Sequence, residues 1–190
     1  MEIEIIKEEG YENALLGMGL SYYKESEDLK EFWSIDKRER MKKVAYKLAQ
    51  KGASHSKFIR QLQLWVVIKA PRFFWSEFDT YKVGTTGLSA STMHTLKKEE
   101  ITQDHFEYPI LGIYLEYLNR EITKGASIES LKNDLPEGYL QTRMINMNYQ
   151  VVRGIIAQRN MHRLPQWRTL IKSLKEQVQH PELLKEINYE

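Results

Sequence analysis

Residues 2–7 alternate apolar and polar side chains, the period of a half-buried strand, and Gly10 closes the segment. Over residues 11–23 the period lengthens to that of a helix, with Leu15, Met18 and Tyr22 on one face. A second helix is expected with Asp36 as its N-cap, a stripe of Met41, Val44, Ala45 and Leu48, and a stop at Gly52. Ser54 is placed to cap a short helix reaching residue 61. Residues 62–68, rich in Leu, Val and Trp, predict a central strand. Lys69-Ala70-Pro71 ends it, and Pro71 suits the first position of the next helix, PRFFWSEFDT. Residues 83–92 are small and include Gly84 and Gly87, which reads as a loop. One long helix is expected over 106–124, ended by Gly125, and a short one over 127–131. Leu135-Pro136 breaks the chain. Helices follow over 148–159 and 165–178, and Pro181 starts a last one. No repeat, low-complexity linker or domain boundary interrupts this series, which predicts one α+β domain over residues 1–190.

Composition narrows the function classes. The chain is 42% hydrophobic and 28% charged, as a soluble globule is, and it is long enough to bury a core unaided. It has no cysteine, which excludes disulfides, thiolate metal sites and a cysteine nucleophile. The apolar run 62–68 is too short to span a bilayer. The opening MEIEIIKEEG is acidic and alternating, unlike a signal peptide. A cytoplasmic setting with no membrane partner is therefore expected. A net charge of +2 is too small to argue for nucleic acid by itself.

Several side chains could carry chemistry, each beside a plainer role. Glu77, Asp79, Tyr81 and Lys82 form a polar cluster after Phe73, Phe74, Trp75 and Phe78, which suit a core. The cluster is either a solvated helix end or a ligand site where Tyr81 stacks on a ring and Lys82 meets a phosphate. Asn148 can cap its helix and also border an anionic cofactor there. Arg159, late in the same helix, is either a surface ion-pair partner or a site residue. His55 is either structural or a site residue. His94, His105, His162 and His180 lack metal-ligand spacing, so no metal is expected. Arg143, Arg153, Arg159, Arg163 and Arg168 make the last third basic, either as solvated charge or as a nucleotide cleft. Residues 84–87 lack the Gly-Lys-Ser/Thr ending of a phosphate-cradling loop.

Gly52-Ala53-Ser54-His55, Lys69-Ala70-Pro71, Leu135-Pro136, Asn148, Arg159 and Gln166-Trp167 together resemble, in order and spacing, the flavin-dependent thymidylate synthase family. The resemblance covers most of residues 2–175. It implies a central, mostly antiparallel sheet flanked by helices, and homotetramers with sites between subunits. It also implies reductive methylation of deoxyuridylate, with FAD passing reducing equivalents from NADPH and methylenetetrahydrofolate giving the carbon. That route needs no cysteine. Arg159 takes the catalytic role of orienting and polarising the pyrimidine. His55 and Asn148 border the flavin, joined on the cofactor side by Tyr81 and Lys82. Glu77, Ser89 and Ser91 fall on the substrate side, and Lys82 with one of the serines would hold phosphate.

The family signature, Arg-His-Arg with a serine beyond it, reads Thr80-Tyr81-Lys82 in this chain. Leu88 and Thr92 occupy an acidic and an arginine position, and Ala90 a serine position flanked by Ser89 and Ser91. Gln150 and Gly154 replace two residues that help hold flavin. Two further functions follow: a nucleotide-binding protein that has lost the standard flavin chemistry, and a nucleic-acid-binding module using basic helices with interleaved aromatics.

Overall fold

The computed structural model describes residues 1–51 and 54–184. Four strands form one antiparallel sheet: β1 (Glu2–Glu9), β2 (Gln63–Pro71), β3 (Thr85–Ser89) and β4 (Leu140–Asn148), in the order β1-β2-β4-β3. The helices are α1 (Tyr11–Gly19), α2 (Leu29–Phe32), α3 (Ile35–Ala49), α4 (Arg72–Phe78), α5 (Thr92–Thr95), α6 (Gly112–Thr123), α7 (Ile128–Asp134), α8 (Tyr149–Arg159) and α9 (Pro165–Gln177). The α+β class and the antiparallel sheet flanked by helices are as expected. No helix among the described residues is long and apolar enough to cross a membrane.

Period-two alternation builds the core. Leu64, Val66, Ile68 and Ala70 of β2, with Ile145 and Met147 of β4, turn inward and are buried. Against them pack Leu15 of α1, Met41 and Ala45 of α3, Phe74 and Trp75 of α4, Val152 and Ile156 of α8, and Trp167 and Leu170 of α9. β1 slips register between Ile5 and Lys7, and the bulge leaves Ile6 exposed. The opposite sheet face carries Trp65, Val67, Met144 and Leu88, the last two exposed. A second cluster, Leu96, Ile101, Phe106, Leu118, Leu131, Leu135 and Tyr139, lies among α5, α6 and α7. Main-chain bonds from Arg72 N to Tyr139 O (3.0 Å) and Phe73 N to Glu137 O (3.1 Å) join it to the start of α4.

Several boundaries differ from expectation for physical reasons. Ser34, not Asp36, caps α3, its hydroxyl accepting from Lys37 N at 3.4 Å. Asp36 lies in the first turn, where a carboxylate still favours the helix dipole. α1 gives way to a 3₁₀ turn over Leu20–Tyr22, and Tyr22 is exposed. The short helix before β2 is a 3₁₀ turn, Lys57–Arg60, preceded by Ser56 rather than capped by Ser54. The expected stop at Gly52 lies outside the described residues. Pro71 ends β2 with extended geometry and precedes α4 instead of opening it. The expected helix over 106–124 is helical only from Gly112. Phe106 bridges to Tyr139, and Pro109 both lacks an N–H and steers Tyr108 away from helical angles. The expected loop at 83–92 contains β3, paired along β4 from Thr85↔Met147 to Ser89↔Arg143. Asn148 as N-cap of α8 and Pro165 at the start of α9 stand where expected.

Candidate functional site

α4 positions the site. Its apolar face, Phe74, Trp75 and Phe78, is buried. The Trp75 indole N–H donates to Ala70 O (3.1 Å) and Gln141 O (2.9 Å), tying the helix to β2 and β4. That leaves Glu77 and Asp79 at the helix's C-terminal end. The chain then turns tightly: Tyr81 N donates to Phe78 O (3.0 Å), and the Thr80 hydroxyl to Glu77 O (2.8 Å). Gly84, at φ +74°, ends the turn, and a Cβ there would fall 2.9 Å from Asn148 Nδ2. Glycine thus lets the turn close against the β4–α8 junction. Asn148 Oδ1 accepts from Val151 N (3.1 Å), so the side chain caps α8 at the same point.

Between α4, this turn and the inward face of β3 and β4 lies an open cleft of about 400 Å³, lined by Phe78, Asp79, Tyr81, Lys82, Thr85, Gly87, Arg143 and Ile145. Its size suits one small ligand. Arg143 projects inward from β4 across the Trp75 ring, 4.4 Å from guanidinium carbon to centroid. Asp79 Oδ1 (2.8 Å) and Gln141 Oε1 (3.1 Å) accept its hydrogen bonds. Lys82 is exposed and has no ion-pair partner among the described residues.

Beside the cleft, Arg159 is braced on several sides. Its Nε donates to the Tyr81 hydroxyl (3.0 Å), which donates to Gln158 Oε1 (2.9 Å). Its Nη1 lies 3.6 Å from Glu77 Oε2, and the guanidinium stacks 4.9 Å above the Trp167 ring. Glu77 Oε2 also accepts from Trp167 Nε1 (2.8 Å) and faces His162 Nε2 at 3.4 Å. Two carboxylates from the end of α4 therefore each meet a guanidinium: Glu77 with Arg159, and Asp79 with Arg143.

The fold thus brings Glu77, Tyr81, Lys82 and Arg159 to one place, with Asn148 at the adjoining junction. Ser89 ends β3 opposite Arg143, Ser91 precedes α5, and His55 is exposed on the turn after α3. Of the expected site residues only Tyr81 and Lys82 line the cleft itself. Sequence reasoning counted Arg143 only among the basic residues of the last third and gave His162 no role. Neither position carried a local signal. Arg143 becomes visible once β4 is known, because it shares a face with Ile145 and Met147. No group of three or more His, Asp or Glu able to hold a metal occurs among the described residues.

This architecture is the flavin-dependent thymidylate synthase fold. A structure of that enzyme, ThyX, from Helicobacter pylori, complexed with FAD and dUMP, superposes with a TM-score of 0.80 at 16% identity, covering 97% of this chain and 98% of that one. The UMP/dUMP methylase PolB from Streptomyces cacaoi, bound with 5-Br dUMP, superposes at 0.69 and 10% identity, covering 92% and 88%. At these identities the likeness is one of fold. No protein-family model matches the sequence, and no curated protein matches it.

Proposed function

We propose that this chain is a pyrimidine-nucleotide enzyme that reductively methylates deoxyuridylate or a related pyrimidine nucleotide, with methylenetetrahydrofolate as carbon donor. The observation that carries the proposal is the cleft in which Lys82 and Arg143 face one space while Arg159 stands braced at its Tyr81 edge. Lys82 and Arg143 supply an ammonium and a guanidinium for the phosphate, and Ser89, paired across the sheet with Arg143, or Ser91 would add a hydroxyl. Arg159 orients the pyrimidine and withdraws charge from a ring carbonyl, which makes the ring carbon more open to attack. Glu77 holds Arg159 from the substrate side. His55 and Asn148 are the residues set to border a flavin. The fold of two nucleotide-bound neighbours supports this reading, and a cytoplasmic setting accompanies it.

FAD and NADPH would provide the reducing equivalents by resemblance to the family. As a grip on the two phosphates of FAD, however, Thr80-Tyr81-Lys82 does not fit. The Thr80 hydroxyl is spent on its own helix and the Tyr81 hydroxyl on Gln158 and Arg159, which leaves one ammonium. This favours a second reading, a nucleotide-binding protein on the same fold without the standard flavin chemistry.

Calorimetry with dUMP, UMP and other nucleotides tests both. Binding of a pyrimidine nucleotide is expected, with about tenfold loss in Arg143→Ala from one charge-assisted bond. Failure of every pyrimidine nucleotide to bind would overturn both readings. Binding with flavin absorbance and NADPH-dependent turnover supports the enzyme, and binding without them supports the second reading.

The homotetramer belongs to the same proposal. Its support is the open sheet face with Met144 and Leu88 exposed, since apolar patches of this kind mark association surfaces. Sedimentation is expected to give a multiple of 22.5 kDa, lowered by Met144→Asp. A species of that single mass would rule the assembly out.

A further inference from the structure

We infer that Tyr81 is a positioning residue for Arg159, holding the guanidinium ready for the pyrimidine before any nucleotide arrives. The inference rests on the nucleotide reading above and assigns a task to the middle residue of the altered triplet.

The direction of each bond follows from chemistry. Arginine has donors only, so the 3.0 Å contact between Arg159 Nε and the Tyr81 hydroxyl places the acceptor on Tyr81. A phenol has one proton, and it goes to Gln158 Oε1 at 2.9 Å. Gln158 thereby orients the phenol so that its lone pair faces Arg159. Gln158 and Arg159 are neighbours on α8, whereas Tyr81 follows α4, so the motif clamps two distant segments at one point. Glu77 lies against Nη1, and the Trp167 ring lies 4.9 Å from the guanidinium carbon. Nη2 has no protein acceptor among the described residues.

A free arginine side chain samples many rotamers, and a ligand that had to freeze them would bind more weakly. With Nε bonded, Nη1 paired and the Trp167 ring against the group, the remaining donor edge is presented in one orientation. A carbonyl of a pyrimidine ring is the chemistry that edge suits. Tyr81 thus acts through Arg159 on the base, and the phosphate is left to Lys82 and Arg143.

Calorimetry on the full chain separates base from phosphate by using dUMP, UMP and ribose 5-phosphate as probes. Tyr81→Phe is expected to weaken the nucleotides about tenfold and ribose 5-phosphate less than twofold. Gln158→Ala, at an exposed position, is expected to weaken the nucleotides about threefold while leaving the fold intact. Adding Tyr81→Phe to Arg159→Ala is expected to cost nothing more, as for two residues acting as one unit. Additive losses, or equal losses for ribose 5-phosphate, would overturn the inference. A second readout needs no ligand: the Arg159 Nε–H resonance in nitrogen-edited NMR should be protected from exchange in the parent protein and lose protection in Tyr81→Phe. Protection in a parent that binds no nucleotide would sink the function and spare the positioning. Equal exchange in both proteins would sink the positioning alone.

Discussion

Arg159→Ala is expected to weaken pyrimidine-nucleotide binding about 100-fold, the worth of one or two charge-assisted hydrogen bonds, and to reduce turnover at least as much. The fold should lose only about 1 kcal/mol, because the arginine is half-buried and its contact with Trp167 is a cation–π pair of modest worth. Glu77 keeps its bond from Trp167 Nε1 and its contact with His162, so no carboxylate is stranded. Arg159→Lys is the informative companion. A lysine ammonium cannot meet Tyr81 with one nitrogen and Glu77 with another while laying a flat face on an indole. It should therefore recover the charge without the orientation, regaining no more than about tenfold of the loss. Calorimetry with dUMP and UMP, alongside denaturant unfolding of each variant, gives both numbers. A lysine variant that bound as tightly as the parent would show that charge alone matters at this position.

The sequence made the buried framework easier to read than the site, and β4 shows why. Its inward positions are Gln141, Arg143, Ile145 and Met147, so the apolar alternation that marks a strand is kept only in its second half. The two residues that break the pattern are the ones that bond each other and line or flank the cleft. Polar residues at the inward positions removed the signal that would have revealed the strand, and the arginine was lost with it. β3 was hidden differently. Thr85-Thr86-Gly87-Leu88-Ser89 sits at a sheet edge with most side chains exposed, and Gly87 contributes no side chain. Its strand character comes from pairing with β4, which no local propensity records. By contrast, Asn148 and Pro165 were legible because a cap and a first-turn proline are local devices. Arg159, Glu77 and Tyr81 were each visible as residues. Their joining could not be read, since it depends on α4 and α8 meeting across more than seventy positions of chain.

Trp167→Ala is expected to cost about 3–5 kcal/mol, the range for deleting a large buried aromatic ring and leaving the space unfilled. Against the roughly 5–15 kcal/mol that separates a folded domain from its unfolded chain, this is the most damaging substitution at the site. The indole is fully buried in the first turn of α9. Its ring centroid lies 4.8 Å from Phe74, 6.0 Å from Phe78, 5.7 Å from Tyr81 and 6.2 Å from His162. It is thus where core packing becomes site geometry: the ring packs against the buried face of α4, its N–H holds Glu77, and Arg159 lies over it. Trp167→Phe separates the two tasks. Phenylalanine keeps most of the packing but has no N–H for Glu77, so about 1–3 kcal/mol should be lost. The larger effect of that variant should fall on nucleotide binding, because Glu77 can drift once its 2.8 Å bond is gone and Arg159 keeps only a smaller, weaker ring beneath it. Denaturant midpoints should therefore order parent, Trp167→Phe and Trp167→Ala from most to least stable. A Trp167→Ala protein within about 1 kcal/mol of the parent would show that the aromatic cluster relaxes to fill the gap, and that the site does not depend on this ring for its shape.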